Sequence, residues 1–118
     1  MSMTDEEAFE LIRDRVKEID NTRVYFCLRT MKVKPISNKI VENMKICIAI
    51  TEMKLPITLK LFSYLRGYKI AHQTLLGTLH TLGDKKVITL IRGDFKNWYT
   101  CQWLLGESFS NLYYGDEK

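Results

Sequence analysis

The sequence contains few of the residues that build a disulfide scaffold, a metal centre or a membrane span. Only three of its 118 residues are cysteines, Cys27, Cys47 and Cys101, and none of them forms the C-x-x-C pattern of a zinc or iron–sulfur site. The two histidines, His72 and His80, have no cysteine or carboxylate at ligand spacing. No apolar run approaches the length of about eighteen residues that crosses a bilayer. We therefore expect buried free cysteines, with one disulfide as the alternative, no metal and no membrane partner.

Motifs for catalysis and for cofactor binding are missing as well. The sequence contains no G-x-x-x-x-G-K-[ST], G-x-G-x-x-G, G-x-S-x-G or H-E-x-x-H pattern. Its acidic residues concentrate in the first twenty positions, where they are typical of a solvated helix face. We expect a protein that is not an enzyme and that has no small-molecule cofactor.

The positive charge is concentrated in the middle of the chain. Residues 1–20 have a net charge of −4, residues 21–53 of +4, residues 54–96 of +6 and the remainder of −2. A basic centre between acidic ends favours a surface that faces a polyanion. The first seven residues are acidic where a secretory signal would be basic and then apolar, so we expect a cytoplasmic protein.

The first half of the sequence predicts a helix, a strand and a second helix. Thr4 and Glu7 have the spacing of a capping box, and an apolar stripe continues the helix over residues 4–19. The β-branched and aromatic run from 24 to 28 predicts a strand over 23–34, which Pro35 closes. Residues 38–53 have a helical stripe behind a cap at Ser37 or Asn38, although 46–51 suits a buried strand equally well.

The second half predicts helices over 57–66 and 71–82, and strands over 87–91 and 98–103. The loop between the strands contains the turn-forming pair Gly93 and Asp94. The segment from 104 to 114 is apolar and aromatic enough to pack on the domain or on a second subunit.

This order of elements resembles the winged helix-turn-helix family over residues 38–103. The resemblance is carried by the short helix 57–66, the turn 67–69, the helix 72–82 and the hairpin after Lys85 and Lys86. Leu75, Leu79 and Leu82 are spaced as in the third helix that this family packs beneath its wing. The resemblance implies a single α+β domain, with a helix and strand extension at 1–36, a winged-helix core at 37–103 and an aromatic tail at 104–118.

The resemblance also implies a surface for double-stranded DNA. With the leucines inward, the outer face of the helix presents short or amide side chains that reach base edges in a major groove. Basic side chains flank this helix where phosphates would lie, and two more stand at the wing tip. The expected DNA-binding residues are Lys69, Gln73, Thr74, Gly77, His80, Thr81, Lys85, Lys86, Arg92 and Lys96.

The function that follows is that of a small transcriptional regulator. We expect a homodimer, because one recognition helix reads few base pairs. The expected pairing faces are those of Phe9, Ile12, Val16 and Ile19 and of Phe109, Leu112 and Tyr113. The alternative is a protein-interaction adaptor that docks through its hairpin or its aromatic tail, since winged helices serve both purposes. The polar residues of the outer face suit a solvated helix equally well.

Overall fold

A computed structural model describes residues 4–54, 65, 81–92 and 102–115, and this part of the chain is predominantly helical. It contains the helices α1 (Asp5–Glu18), α2 (Asn21–Thr30), α3 (Asn38–Met53) and α4 (Glu107–Tyr114), and residues 65 and 81–84 are helical as well. Two short strands, β1 (Ile88–Arg92) and β2 (Gln102–Leu105), pair antiparallel. None of the helices in the described ranges has the length and apolar character needed to cross a bilayer.

Helix α1 begins at the predicted capping box. The Thr4 hydroxyl accepts a hydrogen bond from the Glu7 N–H at 3.1 Å, and the Glu7 carboxylate accepts one from the Thr4 N–H at 2.9 Å. These two bonds satisfy donors that a helix N-terminus leaves without partners. The predicted helix over 4–19 is confirmed, and its stripe of Ala8, Phe9, Ile12 and Val16 is buried.

Helix α2 occupies the segment where a strand was expected, so the predicted strand over 23–34 is wrong. Asp20 caps the helix by accepting a hydrogen bond from the Thr22 N–H at 2.9 Å. Burial follows helical spacing at Val24, Cys27 and Leu28. In a strand Phe26 would face the same side as Val24, yet Phe26 is 61% exposed and Val24 is fully buried.

Helix α3 is the central element, and it settles the open choice between helix and strand at 46–51. Every residue from 43 to 50 is buried, and α1, α2 and β2 all pack against this helix. A helix that is buried on all sides needs apolar residues around its whole circumference, which explains why its periodicity was ambiguous.

The strand pair leads directly into α4. Ile88 pairs with Leu105, Thr89 with Leu104, Leu90 with Trp103 and Arg92 with Gln102, with a shift in register between Leu90 and Arg92. The N–H of Gly106 donates to the Val87 carbonyl at 2.7 Å, and a Cβ at Gly106 would overlap the Lys86 carbonyl. Helix α4 then packs on α2 and buries Phe109 and Tyr113.

The α+β winged helix-turn-helix fold expected from the sequence is wrong. The four helices have 14, 10, 16 and 8 residues, against 5 and 4 residues for the two strands. The segment expected to supply an N-terminal strand is helical, and three successive helices form the first half of the molecule. The predicted helices at 57–66 and 71–82 lie outside the described residues, apart from residues 65, 81 and 82.

The expected dimer faces are also corrected. Phe9, Ile12, Val16 and Ile19 are buried within a single chain, as are Phe109 and Tyr113. These side chains fill the monomer core and are not available to a second subunit, so a homodimer remains a prediction without an assigned face. The burial expected for Cys27 and Cys47 is confirmed; Cys101 lies outside the described residues.

Candidate nucleic-acid interface

Residues 21–41 form a basic segment without any acidic residue. It contains five bases, Arg23, Arg29, Lys32, Lys34 and Lys39, and no aspartate or glutamate. In the structure this segment is α2, the loop 31–37 and the start of α3. All five bases are exposed, and we term the four from residue 29 onward, Arg29, Lys32, Lys34 and Lys39, the basic surface.

Arg23 is the one base of the segment that the fold itself uses. Its Nε donates to the Tyr113 carbonyl at 2.6 Å, and its guanidinium lies 5.7 Å from the centre of the Tyr113 ring. A cation at the end of α4 is favourable because the last carbonyls of a helix carry partial negative charge. Arg23 therefore anchors α2 to α4 and is not part of the basic surface.

The end of α2 turns Lys32 and Lys34 outward around a buried valine. The Lys32 N–H donates to the Arg29 carbonyl at 2.9 Å, and the Val33 N–H to the Leu28 carbonyl at 3.0 Å. This is the bond pattern of a Schellman motif, with Lys32 in the left-handed conformation at φ 63°. Val33 is fully buried, so the two lysines beside it are held at the surface by a packed anchor.

A pocket of about 440 Å³ lies between the N-terminal turns of α2 and α3. Asn21, Thr22 and Tyr25 line it from α2, and Asn38, Val41 and Glu42 line it from α3. Two lining residues are largely apolar: Tyr25, which is 44% exposed, and Val41, which is buried.

A buried lysine orients two polar residues of the pocket wall. Lys45, whose side chain is 9% exposed, donates to Asn21 Oδ1 at 2.7 Å and to Glu42 Oε2 at 3.3 Å. Because the Asn21 oxygen accepts from Lys45, the NH2 group is the donor that this pocket-lining side chain can offer to a ligand. Glu42 keeps its second carboxylate oxygen as an acceptor, so the wall offers both kinds of hydrogen-bonding group.

A second cluster, formed by Arg15, Glu52 and Tyr114, joins α1, α3 and α4. Arg15 binds Glu52 through two hydrogen bonds of 2.6 and 3.0 Å, and the Tyr114 hydroxyl donates to the same carboxylate at 2.5 Å. The bond from Arg15 lowers the pKa of Glu52, while partial burial and then the bond to Glu52 raise the pKa of Tyr114. At neutral pH the carboxylate stays ionised and the phenol stays protonated, so this cluster holds three helices together and has no group poised to exchange a proton.

Most of the site residues expected from the sequence fall outside the described part of the chain. These are Lys69, Gln73, Thr74, Gly77, His80 and Lys96. Thr81 is half-buried in the helical residues 81–84, Lys85 and Lys86 are exposed in the turn that follows, and Arg92 is the last residue of β1. Only Lys85 and Lys86 are therefore seen as neighbours at the surface.

The basic surface and the pocket were missed at the sequence level, although one signal was present. The net charge of residues 21–53 was recognised as positive. A strand over 23–34, however, would separate Tyr25 from Arg29 by the length of four extended residues, whereas a helix makes them neighbours on one face. The uninterrupted absence of acids between Asp20 and Glu42 is the feature that marks the segment.

Comparison with family models, curated proteins and solved structures finds no match for this chain. Among the residues that the structure describes, no three His, Cys, Asp or Glu side chains converge on a point where a metal ion could bind.

Proposed function

We propose that this chain binds nucleic acid, and that its basic surface contacts the phosphate backbone. The observation that carries the proposal is the set of four exposed bases within residues 29–39, in a segment that contains no acid. Lysine and arginine on an exposed surface are the usual partners of phosphate oxygens.

The contrast with α1 supports this assignment. Arg13 pairs with Glu10 at 2.6 Å, and Arg15 pairs with Glu52 at 2.6 Å and with Glu18 at 3.5 Å. Arg29, Lys32, Lys34 and Lys39 have no ion pair within the described part of the chain. Their charges are not neutralised there, so their potential can attract a polyanion from solution.

The mode of docking differs from the one expected from the sequence. The α2–α3 corner takes the place of a recognition helix and wing, because the winged-helix fold is wrong. Lys85 and Lys86 stay a competing prediction, since they are exposed on a different turn. Double-stranded DNA, the ligand expected from the sequence, is still a proposed ligand. Contacts to its phosphates require neither a recognition helix nor a particular base sequence.

The test is a fluorescence anisotropy titration of labelled duplex DNA at several salt concentrations. The double variant Lys34→Gln, Lys39→Gln removes two charges from the basic surface. The control, Lys17→Gln with Lys54→Gln, makes the same charge change at exposed positions that belong to neither proposed contact surface. We expect the first variant to reduce the slope of log K against log salt by about 1.8, because each phosphate contact contributes about 0.9. Equal losses in both variants would show that net charge alone, and not this surface, determines binding.

A protein-interaction adaptor is the second candidate, and the exposure of Phe26 favours it. Phe26 is 61% exposed beside Tyr25, and exposed aromatic side chains are enriched in protein interfaces. If the protein binds neither duplex nor single-stranded DNA at low salt, the adaptor is the better explanation.

A further inference from the structure

We infer that the pocket between α2 and α3 accepts one unpaired nucleobase of a single-stranded nucleic acid, while the basic surface holds the phosphates beside it. This inference rests on the proposed function and specifies its ligand. It is based on four features of the described residues: the size of the pocket, an accessible aromatic residue, the polar wall and the position of the bases around it.

The size and the aromatic wall suit a flat heterocycle. A volume of about 440 Å³ is within the range of pockets that bind small molecules, and it exceeds what a single ordered water needs. Tyr25 lines the pocket and is 44% exposed, so its ring is accessible as a stacking surface. Bases of single strands stack on such rings because every base has a π-face.

The polar wall matches what the edge of a base requires. Each base has at least one donor and one acceptor on its Watson–Crick edge, and the wall offers the Asn21 amide NH2 and a Glu42 carboxylate oxygen. Lys45 fixes both groups and pairs with Glu42 at 3.3 Å, which offsets the repulsion between this carboxylate and a nearby phosphate.

The basic surface is positioned to continue along the same strand. Arg29 lies four residues after Tyr25 on α2, so the two side chains are neighbours on one helix face. Lys39 directly follows Asn38, which lines the pocket from α3. Both helices that line the pocket therefore carry a basic residue next to a lining residue, where it can contact the phosphates that flank a bound base.

A base within a duplex cannot use this pocket without leaving its stack. Extrusion from a duplex costs a few kcal/mol, whereas an unpaired base is already accessible. The inference therefore predicts tighter binding to a single strand than to a duplex of the same sequence.

The test compares three labelled DNAs of equal length: a mixed-sequence single strand, the same strand with abasic sites throughout, and the duplex. Wild-type protein is compared with Tyr25→Ala, with Tyr25→Phe as the matched control and with the Lys34→Gln, Lys39→Gln variant. Tyr25 forms no hydrogen bond among the described residues, so its truncation leaves the fold intact, as circular dichroism can verify.

We expect wild-type protein to bind the base-containing strand about tenfold or more tightly than the abasic strand, from the stacking of one base. Tyr25→Ala should lose this preference and keep its abasic affinity, whereas Tyr25→Phe should retain the preference. Equal binding of the two single strands by wild-type protein, or no effect of Tyr25→Ala, would overturn the inference. If the lysine variant still weakens binding in that case, the proposed function stands without the pocket; if wild-type protein binds none of the three DNAs, both fail.

Discussion

Lys32 occupies a backbone position that glycine would fill with less strain, and this makes Lys32→Gly an informative perturbation. The residue has φ 63° at the end of α2, where a Cβ is unfavourable. If the lysine is retained because its charge contacts phosphate, glycine should improve stability and weaken binding at the same time.

The expected gain in stability follows from two opposing terms. The left-handed conformation costs a residue with a Cβ about 1–2 kcal/mol. Glycine offsets part of this gain, because it loses about 0.5–1 kcal/mol more conformational entropy on folding. The net stabilisation should be about 0.5–1 kcal/mol, which corresponds to a rise in the urea midpoint of about 0.3–0.5 M.

Lys86→Gly is the matched control for this experiment. Lys86 has φ 64°, its N–H donates to the Gly83 carbonyl at 3.0 Å, and the next N–H, of Val87, donates to the Leu82 carbonyl at 2.8 Å. The backbone geometry is therefore the same as at Lys32, but the residue lies outside the basic surface. Both variants should become more stable, and only Lys32→Gly should bind single-stranded DNA more weakly, with a salt slope reduced by about 0.7.

Urea unfolding and anisotropy titrations on the same preparations can separate the two parts of this reasoning. A lower urea midpoint in both variants would refute the strain argument. A loss of affinity in Lys86→Gly with none in Lys32→Gly would move the interface to the turn at 85–86, as expected from the sequence.

Two further predictions concern the scaffold that supports the interface. Glu52→Gln should destabilise the protein by about 1 kcal/mol, because it weakens the bidentate pair with Arg15. The folded-state pKa of Glu52 is lowered, so the wild-type contribution is present above the usual pKa of a glutamate and is lost as pH falls through the folded value. Urea unfolding at successively lower pH should show the variant's deficit shrinking. Gly106→Ala should lower thermal stability by about 1–3 kcal/mol, because its Cβ would overlap the Lys86 carbonyl, and an unchanged melting temperature would contradict this packing. Ser108→Ala, at an exposed position of α4, should leave the melting temperature nearly unchanged.

The sequence predicts α1 and α3 because their signals are local. The capping box at Thr4 and Glu7 lies within four residues, and the Ser37 cap with its apolar stripe marks α3. Helix α2 was missed because β-branched and aromatic side chains have high strand propensity, and burial of Val24, Cys27 and Leu28 against other helices overrides it. Asp20, which directly follows the helix predicted over residues 4–19, caps α2 through its carboxylate, and this signal was not used.

The candidate site could be predicted only as a charge distribution. The pocket requires that Asn21 and Tyr25 on one helix meet Asn38 and Glu42 on the next, and this depends on how α2 and α3 cross. In a strand, Asn21 and Tyr25 would lie on one face but roughly 13 Å apart, which is too far for both to line the same wall of a pocket. The tertiary contact between Lys45 and Asn21, which orients the polar wall, spans 24 residues and has no local signature.

The contact between Arg23 and the Tyr113 carbonyl also sets an order of events during synthesis. The two residues are separated by 90 positions, and α2 packs against α4. Helix α2 can form as soon as it leaves the ribosome, but the surface against which it rests is made only after residue 113 has emerged. Nascent chains that end earlier would lack the C-terminal helix that α2 packs against and the carbonyl that Arg23 binds. The interface proposed above would thus gain its support from the C-terminal helix only at the end of synthesis.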